Sequence, residues 1–156
     1  MNKAQKVIDI AFAEVGVQES PANSNETKYG KWFGLNGVAW CGIFASWAYS
    51  KAGVPLEKIG YSKGFAGTQT ALKHFQETGQ MTTNPAPADL VFYDWDANGQ
   101  PNHVGIFNGW VKGKRGVEFY AIEGNTSLKD QSNGGEVMSR QRVNKNVKFV
   151  HPKVLD

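Results

Sequence analysis

The chain holds a single cysteine, Cys41, and three histidines, His74, His103 and His151. One thiol cannot close an intrachain disulfide, and without a Cys or His pair at close spacing a structural zinc site has no starting point. Cys41 is therefore either a small buried apolar side chain or a nucleophile. A nucleophilic cysteine needs an imidazole to take its proton, and the imidazole needs an acceptor that holds its tautomer. His103 opens the run His103-Val-Gly-Ile-Phe. Alternation there puts Val104 and Ile106 on one side and His103 with Gly105 on the other, where Gly105 leaves room for a substrate or a neighbouring backbone. The triplet Glu123-Gly-Asn125 sets a carboxylate and a carboxamide two residues apart, so that on an extended segment both approach one ring. Each residue also has a plain structural reading: core filler, strand end, turn.

These groups must be positioned by elements whose patterns are visible. From Cys41 to Ala52 the spacing of Phe44, Ala45, Ala48 and Tyr49, closed by Gly53 and Pro55, predicts a buried helix with Cys41 in its first turn. Unpaired N–H groups at that end favour a thiolate. Val7, Ile8, Ala11, Phe12 and Val15 predict an amphipathic helix over 3–15 ending near Gly16, and Ala71, Leu72 and Phe75 predict another over 68–78. The stretch 19–38 reads as an ordered loop anchored by Tyr29, Trp32 and Phe33. Short β-rich runs follow at 90–93, 104–107, 118–122, 136–142 and 147–150, with turns at Asn98-Gly99 and Gly134-Gly135. Helices first and an antiparallel sheet after is the α+β order, and no repeat or linker divides residues 1–156 into separate domains.

Composition narrows the classes. With 156 residues and 40% apolar side chains, the chain can bury a core without staples. The net charge of +3 is modest, and Arg115, Arg140 and Arg142 are the only arginines, too few for the guanidinium forks of a nucleic-acid reader. Arg140, Arg142, Lys145, Lys148 and Lys153 form a run without an acid, read as a solvated face or as a dock for an anionic polymer such as a cell wall. No apolar run approaches a bilayer span and no secretory signal is visible, so membrane insertion is not expected. Asp94, Asp96 and Asn98, with Gly99 in sixth place, repeat the first half of a calcium loop. The twelfth position is Gly105 instead of the bidentate Glu, which excludes a full EF-hand and leaves a hairpin turn or a smaller calcium site. Trp32, Phe33, Trp40 and Trp95 are candidates to line a groove, and His74 and His151 read as surface histidines.

Cys on a helix, His at the head of a strand, then Glu/Asn at the end of the next is the chain order of papain-like thiol enzymes. The segments Ala39-Trp-Cys-Gly-Ile-Phe-Ala-Ser-Trp, Pro87-Ala-Asp-Leu-Val-Phe-Tyr-Asp-Trp-Asp, His103-Val-Gly-Ile-Phe and Ile122-Glu-Gly-Asn resemble the CHAP family of cysteine amidases and peptidases that cut peptidoglycan. The resemblance implies an NlpC/P60-like, papain-related fold. It implies Cys41 as nucleophile, His103 as base and then acid, and Glu123 with Asn125 orienting the imidazole, Glu123 foremost. Trp40 stands where many relatives carry Gln, so only the Cys41 N–H is assigned as an oxyanion donor. The chemistry implied needs no cofactor, although some relatives bind calcium. Peptidoglycan is the implied partner of a monomer, either as the substrate of an amidase or endopeptidase or as the ligand of a wall-binding module with an incidental thiol. The missing export signal suits a phage lysin released after membrane permeabilisation, or a delivered effector.

Overall fold

The computed structural model describes residues 2–130 and 133–156. Four helices come first: α1 (Lys3–Phe12), α2 (Lys28–Phe33), α3 (Cys41–Lys51) and α4 (Thr68–Glu77). Six strands follow: β1 (Met81–Thr82), β2 (Leu90–Tyr93), β3 (His103–Trp110), β4 (Glu118–Thr126), β5 (Glu136–Val143) and β6 (Val147–Val150). They form one antiparallel sheet in the order β1-β6-β2-β3-β4-β5. The expected α+β architecture is the one observed.

Helix α3 is buried from Cys41 to Tyr49, which explains why its sequence is apolar all round instead of striped. It packs on β3 and β4, and α1 and α2 pack on it. Val104, Ile106 and Ile122 of the sheet join the helices in one core, while Val91, Tyr93, Phe107, Phe119, Ala121 and Phe149 form a second, aromatic-rich cluster with Trp95 and Trp110. Alternation along the strands thus feeds two cores, and no strand face needs to be polar throughout.

The two-residue β1 has no counterpart among the expected β-rich runs, and two helical segments also depart from expectation. Helix α1 stops at Phe12, leaving Phe12 and Val15 exposed, because the chain turns at Gly16 (φ 100°) so that Val17 can accept a hydrogen bond from the Val137 N–H of β5. Within the expected loop, residues 28–33 form α2, capped by the Thr27 hydroxyl at the Gly30 N–H (3.0 Å) and ended by Gly34 at φ 90°. Six residues are too few for periodicity to register. At the chain ends, the Lys3 ammonium donates to the Asp156 carbonyl (2.6 Å), and His151 lies between Asp89 (2.7 Å) and Asp156 (2.7 Å). His151 is thus a tie with two carboxylates, not a free surface histidine, and His74 contacts Glu57 at 3.2 Å.

Three glycines allow close approaches around the site: Gly42 of α3 to the 65–66 loop, Gly124 of β4 to α3, and Gly105 of β3 to Glu123. A Cβ on Gly42 would lie 2.8 Å from Phe65, and one on Gly124 would lie 2.7 Å from Phe44 and 2.8 Å from Trp40. A Cβ on Gly105 would sit 2.7 Å from Glu123 Cγ, so the space this glycine leaves is filled by a side chain of β4. Glu123 is fixed by its own hydrogen bonds and has nowhere to move. Gly105→Ala is expected to cost about 1–3 kcal/mol, as overpacking of a filled core does, and a thermal melt should show this as a lower midpoint at unchanged cooperativity.

Candidate active site

Cys41 begins α3, His103 begins β3 and Glu123 lies on β4. The structure brings the three together. His103 Nε2–H donates to Glu123 Oε1 at 2.9 Å, with both residues fully buried. The Cys41 thiol acts on the same imidazole through hydrogen bonding and charge. His103 Nδ1 is buried without a partner of ordinary hydrogen-bond geometry. With Nε2 taken by Glu123, Nδ1 is the nitrogen left to receive the thiol proton, across a contact that substrate binding can tighten. Cys41 retains 5% of its surface exposed, whereas His103 and Glu123 retain none.

Glu123 is saturated. Beyond His103 it accepts from the Tyr93 hydroxyl (2.6 Å, Oε2) and from Arg142 twice, Nε to Oε2 at 3.0 Å and a terminal nitrogen to Oε1 at 2.6 Å. Burial raises its pKa, but His103 and Arg142 prevail and hold it at about 2. Burial works against a charged His103, but the Glu123 charge and the bonds to Cys41 and Glu123 push it up to about 9. Burial also raises the Cys41 thiol, and this is outweighed by His103 and by the backbone N–H groups of Val104 and Gly42, so the thiol falls below its ordinary value. The arrangement favours passage of the thiol proton to the imidazole, backed by a carboxylate that stays ionised.

Asn125 does not reach the ring. It adopts φ 58° at an irregularity in the β4–β5 ladder between Glu123 and Thr126, so the alternation that would have turned it toward His103 is broken. Its Oδ1 accepts the Trp40 backbone N–H at 2.6 Å, and its Nδ2 donates to Asn133 Oδ1 and the Gly134 carbonyl. The Trp40 indole N–H donates to Glu19 Oε2 at 3.1 Å. Asn125 and Glu19 therefore hold the residue that precedes the thiol.

Type and spacing alone do not single out Arg142 and Tyr93. Arg142 counted as part of a basic face, but it is buried against Glu123, and Arg140 donates to Thr126 Oγ1 and the Ser127 carbonyl. Only Lys145, Lys148 and Lys153 of that run remain exposed. The available signal was register: Tyr93 pairs directly with His103, and Arg142 pairs with Phe119, on the same face of β4 as Glu123. Of the aromatic groove candidates, Phe33 and Trp40 are buried in the core and Trp95 stacks on His103 (5.5 Å, 21°), leaving Trp32 half-buried.

The side-chain oxygens of Asp94, Asp96 and Asn98 all accept hydrogen bonds within their own loop. Asp94 accepts from the N–H groups of Asn98 and Gly99, Asp96 from Asn102 Nδ2, and Asn98 from the Gln100 N–H. Among the described residues no three His, Cys, Asp or Glu side chains form a group that could hold a metal, and no helix is long and apolar enough to cross a membrane. The bonds of Asp94, Asp96 and Asn98 tie the loop to its own backbone and to Asn102.

No curated protein sequence matches the chain. Among solved structures it is similar to RipD from Mycobacterium tuberculosis, a non-catalytic NlpC/p60 domain protein with an adaptation to peptidoglycan-binding function. The TM-score is 0.55 at 17% identity, over 97% of this chain and 98% of that one. At that identity the likeness establishes the NlpC/p60 fold. The family model for the CHAP domain matches residues 33–125, a span that runs from the end of α2 through Cys41 and His103 to Asn125 and covers more than half of the sequence: the chain belongs to the CHAP domain family.

Proposed function

We propose that this protein hydrolyses an amide bond of bacterial peptidoglycan through a Cys41 thioester. The observation that carries the reading is the buried line of Cys41 at the start of α3, His103 with Nδ1 left over for the thiol proton, and a saturated Glu123 that accepts from His103 at 2.9 Å, an arrangement that lowers the thiol pKa and raises that of the imidazole. A domain that only binds wall has no use for such a line. The Cys41 sulfur attacks the carbonyl carbon, and the developing oxyanion meets backbone N–H groups at the start of α3. As the tetrahedral centre collapses, His103 gives its proton to the departing amine and a thioester remains. Water then loses a proton to His103 as its oxygen attacks the thioester, releasing a carboxylic acid and restoring the thiol–imidazole pair. The wall-binding alternative is kept alive by RipD, which binds peptidoglycan without catalysis, and by the near-complete burial of the site.

The test is incubation with purified cell walls followed by mass spectrometry of the soluble fragments, whose new termini name the bond and so separate N-acetylmuramoyl-L-alanine amidase from endopeptidase. Release that is blocked by thiol alkylation is expected. Walls that bind the protein yet yield no fragments would leave the binding module as the better reading. Lysin or effector use follows from the same proposal and is tested by lysis of intact cells from outside.

The ionisation pattern adds an expected pH profile. The reactive pair exists above the depressed thiol pKa and below that of His103, so kcat/KM should fall as pH rises through about 9. Glu123, ionised above about 2, should leave no mark in the working range.

A further inference from the structure

His103 has no exposed surface, yet a hollow of about 440 Å³ opens close by, bordered by Tyr93, Trp95, Arg142, Lys145 and Asn146 among others. Trp95 belongs to both places. Its indole lies nearly parallel to the imidazole, with centroids 5.5 Å apart and planes at 21°. It also stacks on Tyr93 at 4.9 Å and 23°. The Arg142 guanidinium, while bonding Glu123, sits 5.0 Å from the Trp95 ring centre and 5.2 Å from that of Tyr93. The side chain that separates the hollow from the imidazole is thus itself held by two residues that grip Glu123.

We infer that Trp95 is a positioning residue of this site, fixing the plane of His103 and keeping water off the His103–Glu123 hydrogen bond. An imidazole held at Nε2 alone can still tilt about that bond, and a flat contact on its face removes the freedom that misaligns Nδ1 from the sulfur. An indole face also favours the imidazolium, and excluded water leaves the Glu123 charge unscreened. The charged or titratable groups that act on the ring are Cys41 from α3 and Glu123 from β4, and Glu123 in turn bonds Tyr93 of β2 and Arg142 of β5, with Arg140 on β5 adding to the field at Glu123. Asp94 and Asp96, which flank Trp95 in sequence, turn their carboxylates into their own loop. The catalytic consequence rests on the hydrolase reading, whereas the stack does not.

The experiment compares Trp95→Phe, which keeps a flat face, with Trp95→Leu. On soluble peptidoglycan fragments the leucine variant is expected to lose about 10- to 100-fold in kcat, by analogy with the loss of outer-shell support around metal-bound histidines, with KM within about twofold. Its alkaline limb should move by about one pH unit toward the ordinary histidine value, and phenylalanine should restore most of both. A second readout needs no activity: tryptophan emission of the parent should step at the pH where His103 titrates, and the step should vanish in Trp95→Phe and in His103→Gln. A folded Trp95→Leu with parental kcat and limb would overturn the inference. So would the absence of the emission step in the parent, whether or not the leucine variant folds. An emission step in a parent that releases no wall fragments would leave the stack standing and end its catalytic role together with the hydrolase reading.

Discussion

Cys41→Ala should release no measurable fragments from purified walls, a loss on the order of 10⁴-fold or more, while binding those walls as the parent does. The size of the effect follows from the mechanism: without the sulfur there is no thioester, and what is left is the weak assistance of backbone donors and bound substrate. Stability should change little, since one heavy atom is removed at the end of a helix that keeps all its other contacts. Fragment release by mass spectrometry and wall pull-down, run on the same preparation, separate chemistry from binding. A Cys41→Ala protein that cuts walls at the parental rate would mean the thiol is incidental.

The second large effect is expected at Glu123. Replacing it with Ala strips His103 of its acceptor and leaves Arg142 buried without its carboxylate. Breaking a buried ion pair by removing one partner typically costs about 3–5 kcal/mol. Activity should fall by about 10⁴-fold, as when an imidazole loses the carboxylate that sets its tautomer. Glu123→Gln separates the two roles, because it preserves shape and some hydrogen bonding but not charge. It should fold better than the alanine variant, with its alkaline limb displaced below 9 because the charge that raises His103 is gone.

The parent should show the converse in its stability. Glu123, depressed to about 2 in the fold, contributes fully above the unfolded carboxylate value and loses that contribution as pH falls through about 2. His103, raised to about 9, contributes fully below the unfolded histidine value and loses it as pH rises through about 9. Melting across pH should therefore be flattest between the two unfolded values, and the Glu123→Gln protein should lack the acid-side slope due to this carboxylate.

The elements that carry the site could be read because their signals are local. Cys41 at a helix start and His103 at a strand head are marked by neighbouring residues: the glycine stop after α3, and the alternation within β3. The β2 and β6 bounds matched for the same reason. What could not be read depends on the third dimension. Asn125 leaves the alternation because of a left-handed residue in β4, which a pattern of period two cannot anticipate. Arg142 carries the same charge as its exposed neighbours Lys145 and Lys148 in one basic run, and only the pairing of β5 with β4 shows that it faces a carboxylate. Trp95 sits outside every strand and helix, where no periodicity indicates direction.

The bond from Lys3 to Asp156 makes the two ends of the chain one place on the surface. Topologically the fold is a loop that lacks only a short bridge. A linker there, with new ends cut in the exposed turn 112–116 between β3 and β4, would give a permuted chain in which α3, β3 and β4 still meet around the thiol.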